Sequence, residues 1–521
     1  MPLLRILPTM LFHLVLASFL PRADAVFINF ENCLNRLYLD NDVPFLQFTP
    51  MYVWAAFDTH NPTHNLNVTV YGNVSGQSDR GPLPPPNDPS WTDPNRTLFG
   101  KIEDFDKAYN HYTTLFSDFK TLTYSSWTPS GVQLCANVLN NSVSDCPIAP
   151  AFNANASDPY TLPGFTVSHD FHSTYAFSTW ASELRIVSGD QRAYTLGCVS
   201  ANITPDLGKK LSDAVCYLPA AVLILVGVAT VFAATCSPWG SSNIFRWTSN
   251  YGRDEDLLRL VTPGFGDCLQ YIQFIVLAGS LSLNYPGFFQ PAISQASWSV
   301  LLFNESFVSK GNGSQSLDDG IYIVNGTYGL TRLGQYVGMT KERDMWACMA
   351  IFLLVLIAIV IVLTQIGFIG RWLVRMLTNT QDGDLTGKNW SFTAGNIVRI
   401  VFNFFMLPII ALSLFQMVVA PRSSGSVVGA AVVLLIGVMG IAFWIFWLIF
   451  TTRPRAHLFD DLPTVLTYGP LYNTYSDDAA PFAFIPVLLT IIRGIAIGAI
   501  QPSGIAQIIM LAICEVILIL T

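Results

Sequence analysis

The chain has 521 residues, 51% of them apolar and only 12% charged, with mean hydropathy +0.43. Soluble domains carry about 25% charged residues, so the composition excludes a soluble protein and implies a polytopic membrane protein. The net charge of −8 sits in residues 26–214, which hold 10 Lys+Arg against 18 Asp+Glu; a nucleic-acid partner has no support.

Residues 1–25 read as a secretory signal. Arg5 supplies the charged start, Leu11 to Leu20 the apolar core, and Ala23-Asp24-Ala25 a small-residue cleavage site before Val26. The apolar core is too short to span ~30 Å of hydrocarbon.

Residues 26–214 then read as a lumenal or extracellular domain. Six Asn-x-Ser/Thr sites fall there, at Asn67, Asn73, Asn95, Asn140, Asn155 and Asn202, and their clustering behind a signal fits glycosylation. Cys33, Cys135, Cys146 and Cys198 are an even set in an oxidising compartment. Four cysteines allow three pairings. Cys135 with Cys146 would close a local loop, and Cys33 with Cys198 would tie the domain's ends.

The pattern in this domain is mostly β. Leu66, Val68 and Val70 alternate with Asn67, Thr69 and Tyr71, a half-buried strand with the Asn67 site on its wet face. Residues 183–187 and 193–199 flank a turn at Ser188-Gly189-Asp190-Gln191, a hairpin that puts Tyr194, Leu196 and Cys198 on one face. The proline-rich stretch 82–94 reads as an irregular surface loop, and 101–118 allows a helix. The expectation is an all-β sandwich with an extra helix or two. His169-Asp170-Phe171-His172 has metal-ligand residue types, but a strand would place the two histidines on opposite faces.

Residues 215–521 contain about seven apolar segments, each near the ~20 residues that cross a bilayer. They are Val215–Cys236, Phe265–Leu283, Trp346–Phe368, Ala394–Met417, Val427–Phe450, Phe482–Ile500 and Ser503–Thr521. The fifth ends in an aromatic band at Phe443, Trp444, Phe446 and Trp447. With the first domain outside, the loop 284–345 is also lumenal, and it carries further sites at Asn304, Asn312 and Asn325. Asn389-Trp390-Ser391 falls in a loop assigned to the cytosol and reads as a chance match. Cys216, Cys236, Cys268, Cys348 and Cys514 read as free thiols packed as small apolar groups.

The second segment is unusually polar. Gln270, Gln273, Leu277, Ser280 and Asn284 are spaced three and four apart and form one stripe of a continuous helix, which in lipid must face other helices or a wet path. Asn284-Tyr285-Pro286 suits the lumenal interface and ends the helix. Arg399, Arg493 and Glu515 lie inside apolar segments, each costing roughly 2.5–3.5 kcal/mol on insertion scales, so partners or water are expected. Arg493 and Glu515 would differ in depth by ~7 Å in an antiparallel hairpin, a gap a long Arg can bridge. They are either a structural pair or part of an ion path. Arg399 can snorkel to the cytosolic face. Pro408 permits a kink, and Gly494 with Gly498 permits close helix contact.

Asp382, Asp384, Thr386 and Gly387 imitate the front half of a calcium loop, but its twelfth position is Thr393 rather than Glu; a solvated turn is the better reading. Walker, GxSxG and GxGxxG motifs are missing from the sequence. The expectation is no enzyme, no cofactor and no metal.

GSLSLNYP (279–286) and SWSVLLF (297–303) resemble the membrane signature of the fungal flavin-carrier and TRP-like channel family. So do GNIVRIVF (395–402), YGPLYNTY (468–475) and RGIAIGAIQPSGIAQ (493–507) leading to Glu515. The resemblance runs from residue 1 to 521. It implies a signal peptide (1–25), an ML-like lipid-recognition domain of all-β sandwich fold (26–214) and a TRP-like transmembrane domain (215–521). Two departures stand out: Ser476-Asp477-Asp478 replaces expected basic residues, and the chain ends inside an apolar run at Thr521 where the family continues with further helices, so the expectation is either a fragment or shortened gene product, or an incomplete membrane module.

The function implied is a multi-pass cation (calcium) channel subunit of the secretory pathway or plasma membrane, with a lipid-binding ectodomain, linked to membrane stress and cell-wall upkeep. The alternatives are a carrier moving flavin adenine dinucleotide or haem into the secretory lumen, and a lipid-binding receptor or scaffold. Membrane lipids, including sterol or phospholipid, are the implied partners, with cations or flavin transported and a homo-oligomer expected. The resemblance also implies a lipid cavity between the sheets, walled by inward residues such as Leu66, Val68, Val70, Leu184, Ile186 and Leu196.

Overall fold

A computed structural model describes residues 27–35, 45–59, 61–79, 81–106, 110–139, 146–155, 157–190, 192–236, 263–309, 316–339, 341–378, 385–476 and 478–520. The signal-like segment, Asn140, Asn312, Asp382 and Asp384 lie outside the described residues. The chain divides into two compact units, Met1–Asp206 with Leu317–Ile323, and Leu207–Ser316 with Val324–Thr521.

The first unit is built from strands. β1 (Phe30–Asn32), β2 (Gln47–Phe57) and β3 (Asn65–Ser75) are followed by a two-stranded ribbon, β4 (Phe105–Asp106) and β5 (His111–Tyr112). Then come β6 (Thr114–Thr121), β7 (Tyr124–Trp127), β8 (Val132–Gln133), β9 (Gly164–Asp170), β10 (Trp180–Val187) and β11 (Thr195–Ile203). One sheet has the order β2-β3-β9. The other runs β1-β11-β10-β6-β7, with β8 also on β6. The described residues of 101–118 are therefore strand and turn rather than helix. Leu115, Ser117 and Phe119 alternate inward on β6, and a period of two fits a sheet and not a helix.

The two sheets enclose one apolar core. Phe48, Leu66, Val68 and Phe165 come from the smaller sheet, and Leu115, Phe119, Trp180, Leu184 and Ile186 from the larger. Each such side chain contributes about 1.5–3 kcal/mol on burial. Phe57 and Trp180 meet edge to face across the layers, with ring centres 5.2 Å apart. The proline-rich loop is not simply a surface excursion. Lys101 is buried beneath it, its Nζ donating to the carbonyls of Ser90 (2.9 Å) and Asp93 (2.7 Å). Burial holds the Lys101 pKa below its ordinary value, opposed by Glu103 and Asp93.

Residues 317–323, from the loop between membrane segments, complete this unit. β12 (Leu317–Asp318) and β13 (Ile321–Tyr322) form a small hairpin. Ile321 is fully buried in the sandwich core. The amide of Phe57 donates to Asp319 O (2.7 Å), that of Tyr322 to Thr204 O (2.9 Å) and that of Asp206 to Gly320 O (2.8 Å). Gly320 has φ +74°, and a Cβ there would collide with the Phe57 carbonyl, so only glycine suits the position. Residues 27–206 and 317–323 thus lie on one side of any membrane. The chain between them must cross an even number of times.

The second unit is helical. Its elements are α1 (Lys209–Cys236), α2 (Phe265–Ala278), α3 (Phe289–Ser294), α4 (Gly329–Val337), α5 (Glu342–Thr378), α6 (Leu385–Val398), a π-turn (Arg399–Phe404) and α7 (Met406–Val418). α8 (Gly425–Thr451), α9 (His457–Asp460), α10 (Leu462–Tyr472), α11 (Phe484–Gly498) and α12 (Gly504–Leu520) follow. Each of the seven apolar segments contains a helix. Among the described residues, four spans qualify by length and composition, at 209–233, 342–377, 425–451 and 480–498. A fifth is the pair 388–404 and 406–418, bent by 67°. α2 and α12 are shorter apolar helices.

Candidate functional site

The helix α2 joins two polar clusters in the membrane unit. It does not carry the continuous stripe expected from spacing. It stops at Ala278, so Ser280 and Asn284 lie beyond its end and do not extend the Gln270–Gln273 face. The cause is local. A Cβ at Gly279 would overlap Ile293, and Ser280 turns its hydroxyl back onto Leu277 O (2.6 Å).

An unwound backbone inside a membrane unit must have its polar groups satisfied by protein. Here buried glutamines do it. Gln290 Nε2 donates to Gly279 O (3.0 Å) and Gln501 Nε2 to Ser280 O (3.2 Å). Gln507 Oε1 accepts from the Ser282 amide (2.9 Å), and Gln501 Oε1 from the Ser282 hydroxyl (2.9 Å) and the Leu330 amide (3.3 Å). Gln273, within α2, donates to Ser299 O (3.0 Å). Gln273, Ser280, Gln501 and Gln507 have no exposed surface. GSLSLNYP, SWSVLLF and the Gln501–Gln507 turn therefore meet at one place.

The second cluster lies at the other end of α2. The π-turn at Arg399–Phe404 breaks the fourth span, with Phe405 N–H donating to Ile400 O (3.0 Å). The bend falls one turn before Pro408, which has no N–H to bond the turn preceding it. Gln270 Nε2 donates to Asn403 O (2.5 Å), and Asn403 Nδ2 donates to Pro470 O (2.7 Å). GNIVRIVF and YGPLYNTY are thus joined through this break. A cavity of about 570 Å³ surrounds it, walled by Thr230, Asp267, Gln270, Arg399, Asn403 and Thr490 among others. Arg399 lines this cavity in the π-turn.

Arg493 and Glu515 are brought together. Arg493 Nη2 lies 2.7 Å from Glu515 Oε1. Gly494 and Gly498 let α11 approach α7, since a Cβ at either would collide with Ile410 or with the Ala411 carbonyl. Gln416, further along α7, is fully buried. Neither of its amide atoms has a hydrogen-bond partner among the described residues. Such a group costs about 1–3 kcal/mol, and sequence spacing gave no hint of it.

The remaining sequence-derived sites fall as follows. Cys33 is bonded to Cys198 (Cα–Cα 5.0 Å) and Cys135 to Cys146 (Cα–Cα 5.8 Å). Cys216, Cys236, Cys268, Cys348 and Cys514 are free. Asn95, Asn155, Asn202, Asn304 and Asn325 are exposed, and Asn67 and Asn73 half-buried. Asn389 sits on α6 rather than in a loop, and its amide exchanges hydrogen bonds with Gln365 (2.9 and 3.2 Å). Leu66, Val68, Val70, Leu184, Ile186 and Leu196 all belong to the packed sandwich core. Among the described residues, the groups with metal-ligand atoms gathered within 4.8 Å are Cys33, Glu183 and Cys198, and Asp104, Cys135 and Cys146. Each is a disulfide plus one carboxylate, and disulfide sulfurs are not thiolate ligands.

A disulfide-tied β-sandwich followed by a polytopic helical unit with a broken span defines the class: a membrane protein with an ectodomain. A family model described as transient receptor potential (TRP) ion channel matches residues 217–521, and one described as ML-like domain matches residues 25–209. The chain belongs to this TRP ion channel family and carries its ML-like domain in front of the membrane helices. A protein of Schizosaccharomyces pombe, described as an uncharacterized membrane protein, is 25% identical over 478 residues, covering 90% of this chain and 52% of that protein. The chain spans about half the length of this curated relative. No solved structure matches it.

Proposed function

We propose that the protein is a subunit of a cation channel whose ectodomain recognises lipid, in a secretory-pathway or plasma membrane. Calcium is the proposed permeant ion, and membrane stress and cell-wall upkeep the proposed context. The ectodomain and the loop 284–345 are proposed to be lumenal and glycosylated. The chain is proposed to act as a homo-oligomer, with no catalytic role.

The observation that carries this reading is the polar cavity at the break of the fourth span. Irregular backbone at membrane depth is tolerated where it is buried in protein or lines a water-filled cavity, and the π-turn at Arg399–Phe404 is beside one. A flavin carrier would need several cations to hold a diphosphate. Arg493 is committed to Glu515, and Arg399 is the Lys or Arg among the cavity's described lining residues. That composition favours a conduit for small ions over a dinucleotide site. The lipid expected on the ectodomain would have to bind outside the packed core or open it, since the six inward residues already touch protein.

Reconstitution into liposomes tests the proposal, with calcium flux and flavin uptake measured on one preparation. Calcium flux without flavin uptake is the expected outcome. Flavin uptake without calcium flux would replace the channel by the carrier.

A further inference from the structure

The membrane unit holds a second cavity, of about 360 Å³. Its wall includes all three residues of one glycosylation motif, Asn325-Gly326-Thr327. The motif enters α4, whose Gln335 grips it. Gln335 Oε1 accepts from the amides of Asn325 (3.2 Å) and Gly326 (3.0 Å), and its Nε2 donates to Asn325 Oδ1 (2.6 Å). The carbonyl branch of the Asn325 amide is thereby held on α4. The nitrogen branch, the one that takes a glycan, is on the other side of the same amide. Asn325 itself is exposed.

The rest of the wall suits a sugar. Thr331, Lys341, Glu342 and Arg422 offer hydroxyl, ammonium, carboxylate and guanidinium groups. Met339 and Met345, both buried in the core of the membrane unit, form the floor of the cavity. The polar groups are already ordered: Glu342 Oε1 accepts from Thr331 Oγ1 (2.9 Å) and lies 3.5 Å from Arg422 Nη1. The volume is in the range of small-ligand sites, about 300–1,000 Å³.

We propose that Asn325 is N-glycosylated and that the cavity is the seat of its own glycan, which clasps the start of α5, the α7–α8 turn and the entrance to α4. The donor is an oligosaccharide on a lipid pyrophosphate. Asn325 Nδ2 forms a bond to the sugar's C1, the C1–oxygen bond to pyrophosphate breaks, and the amide proton leaves with the released pyrophosphate. The glycan is then an internal ligand. Sites on open surface, such as Asn95 and Asn155, have no such role. The inference rests on the lumenal placement proposed above.

The test uses the full chain from a eukaryotic secretory host, purified in detergent. Folded protein is treated with an endoglycosidase that cuts between the two innermost sugars, and each site is followed by mass spectrometry. The Asn325 glycan should be cut about tenfold more slowly than those at Asn95 and Asn155, a factor that corresponds to about 1.4 kcal/mol of seating. Denaturation should erase the difference, and Arg422→Ala should reduce it. An unmodified Asn325 beside modified ectodomain sites would overturn the inference and leave the topology intact. So would a glycan cut as fast as the others. No modified site at all would overturn the lumenal placement and the inference with it.

Discussion

Arg493 and Glu515 are 22 residues apart in sequence and 2.7 Å apart in space. The Arg493 guanidinium also lies 5.3 Å from the centre of the Phe274 ring of α2, a cation–π distance. Two charges on the neighbouring helices α11 and α12 thus neutralise each other beside the helix that links both polar clusters.

Removing one partner leaves the other charge uncompensated in an apolar segment. Arg493→Ala or Glu515→Ala should each destabilise the protein by roughly 2.5–3.5 kcal/mol, the scale of a charge inside a span. The double change should recover part of that loss, and exchanging the two residues should recover more. The measurement is a double-mutant cycle on melting in detergent. A coupling below about 0.5 kcal/mol, the scatter of independent sites, would mean that the contact is not energetically used.

Gln501 and Gln507 have a different task. Their side chains replace the helical hydrogen bonds that the unwound 279–283 segment has lost. Gln501→Leu leaves Ser280 O without its donor and Leu330 N–H without its acceptor. Each orphan costs about 1–3 kcal/mol, so the variant should melt well below the parent. Gln507→Glu keeps an acceptor for the Ser282 amide but loses the donor to Ala496 O (3.0 Å) and Ile497 O (3.2 Å). It also turns a buried acidic group toward those two carbonyls, so it too should melt below the parent. Equal melting of all three would show that the segment is satisfied in some other way.

Much of the architecture could be read from period and composition. The alternation at Leu66, Val68 and Val70 marks β3, and each of the seven apolar runs contains a helix. The polar residues of α2 were visible as a stripe, but the stripe assumed that the helix continued. Helical spacing reports which residues share a face only while the helix lasts, and Gly279 packed against Ile293 is a tertiary event. Gln501 and Gln507 were equally visible as letters in an apolar run. Their partners in the unwound segment, Ser280 and Ser282, are more than 200 positions away, and no local rule pairs them. Residues 101–118 misled for a related reason: β6 exists because β10 pairs with it along its whole length. Ile321 lies in a loop between membrane segments, so only the fold shows that it completes the ectodomain core.

Cys33 and Cys198 are separated by 165 positions. In the chain-entropy account a loop of that length restricts the unfolded chain by about 5 kcal/mol. Cys33→Ser with Cys198→Ser should therefore cost the ectodomain more than Cys135→Ser with Cys146→Ser, whose loop separation is 11. Peptide mapping without reduction should recover the two linked pairs. Alkylation of any of the four in folded protein would contradict this arrangement.

His169 gives the ectodomain a pH dependence of definite sign. Its ring stacks on Trp127, with centres 4.3 Å apart and planes within 10°. Burial lowers its pKa below the ordinary 6.5; Asp170 opposes this and His172 adds to it. The neutral ring is thus the form that the folded state prefers, and the unfolded chain binds the proton more tightly. Stability from this residue is complete above pH 6.5. It is lost as pH falls from there toward the depressed folded value, and changes no further below it. Melting of the full chain, followed by tryptophan fluorescence, should show the ectodomain transition dropping across that window. His169→Phe keeps a ring against Trp127 and removes the proton site, so its profile should be flatter. Parallel decline in both proteins across that window would assign the acid sensitivity to groups other than His169, and Asp118 is not one of them. Its carboxylate is held below its ordinary pKa by bonds from Lys120, Thr128 and Ser125 that outweigh its desolvation, and stability from such a group is lost only at lower pH, as it protonates.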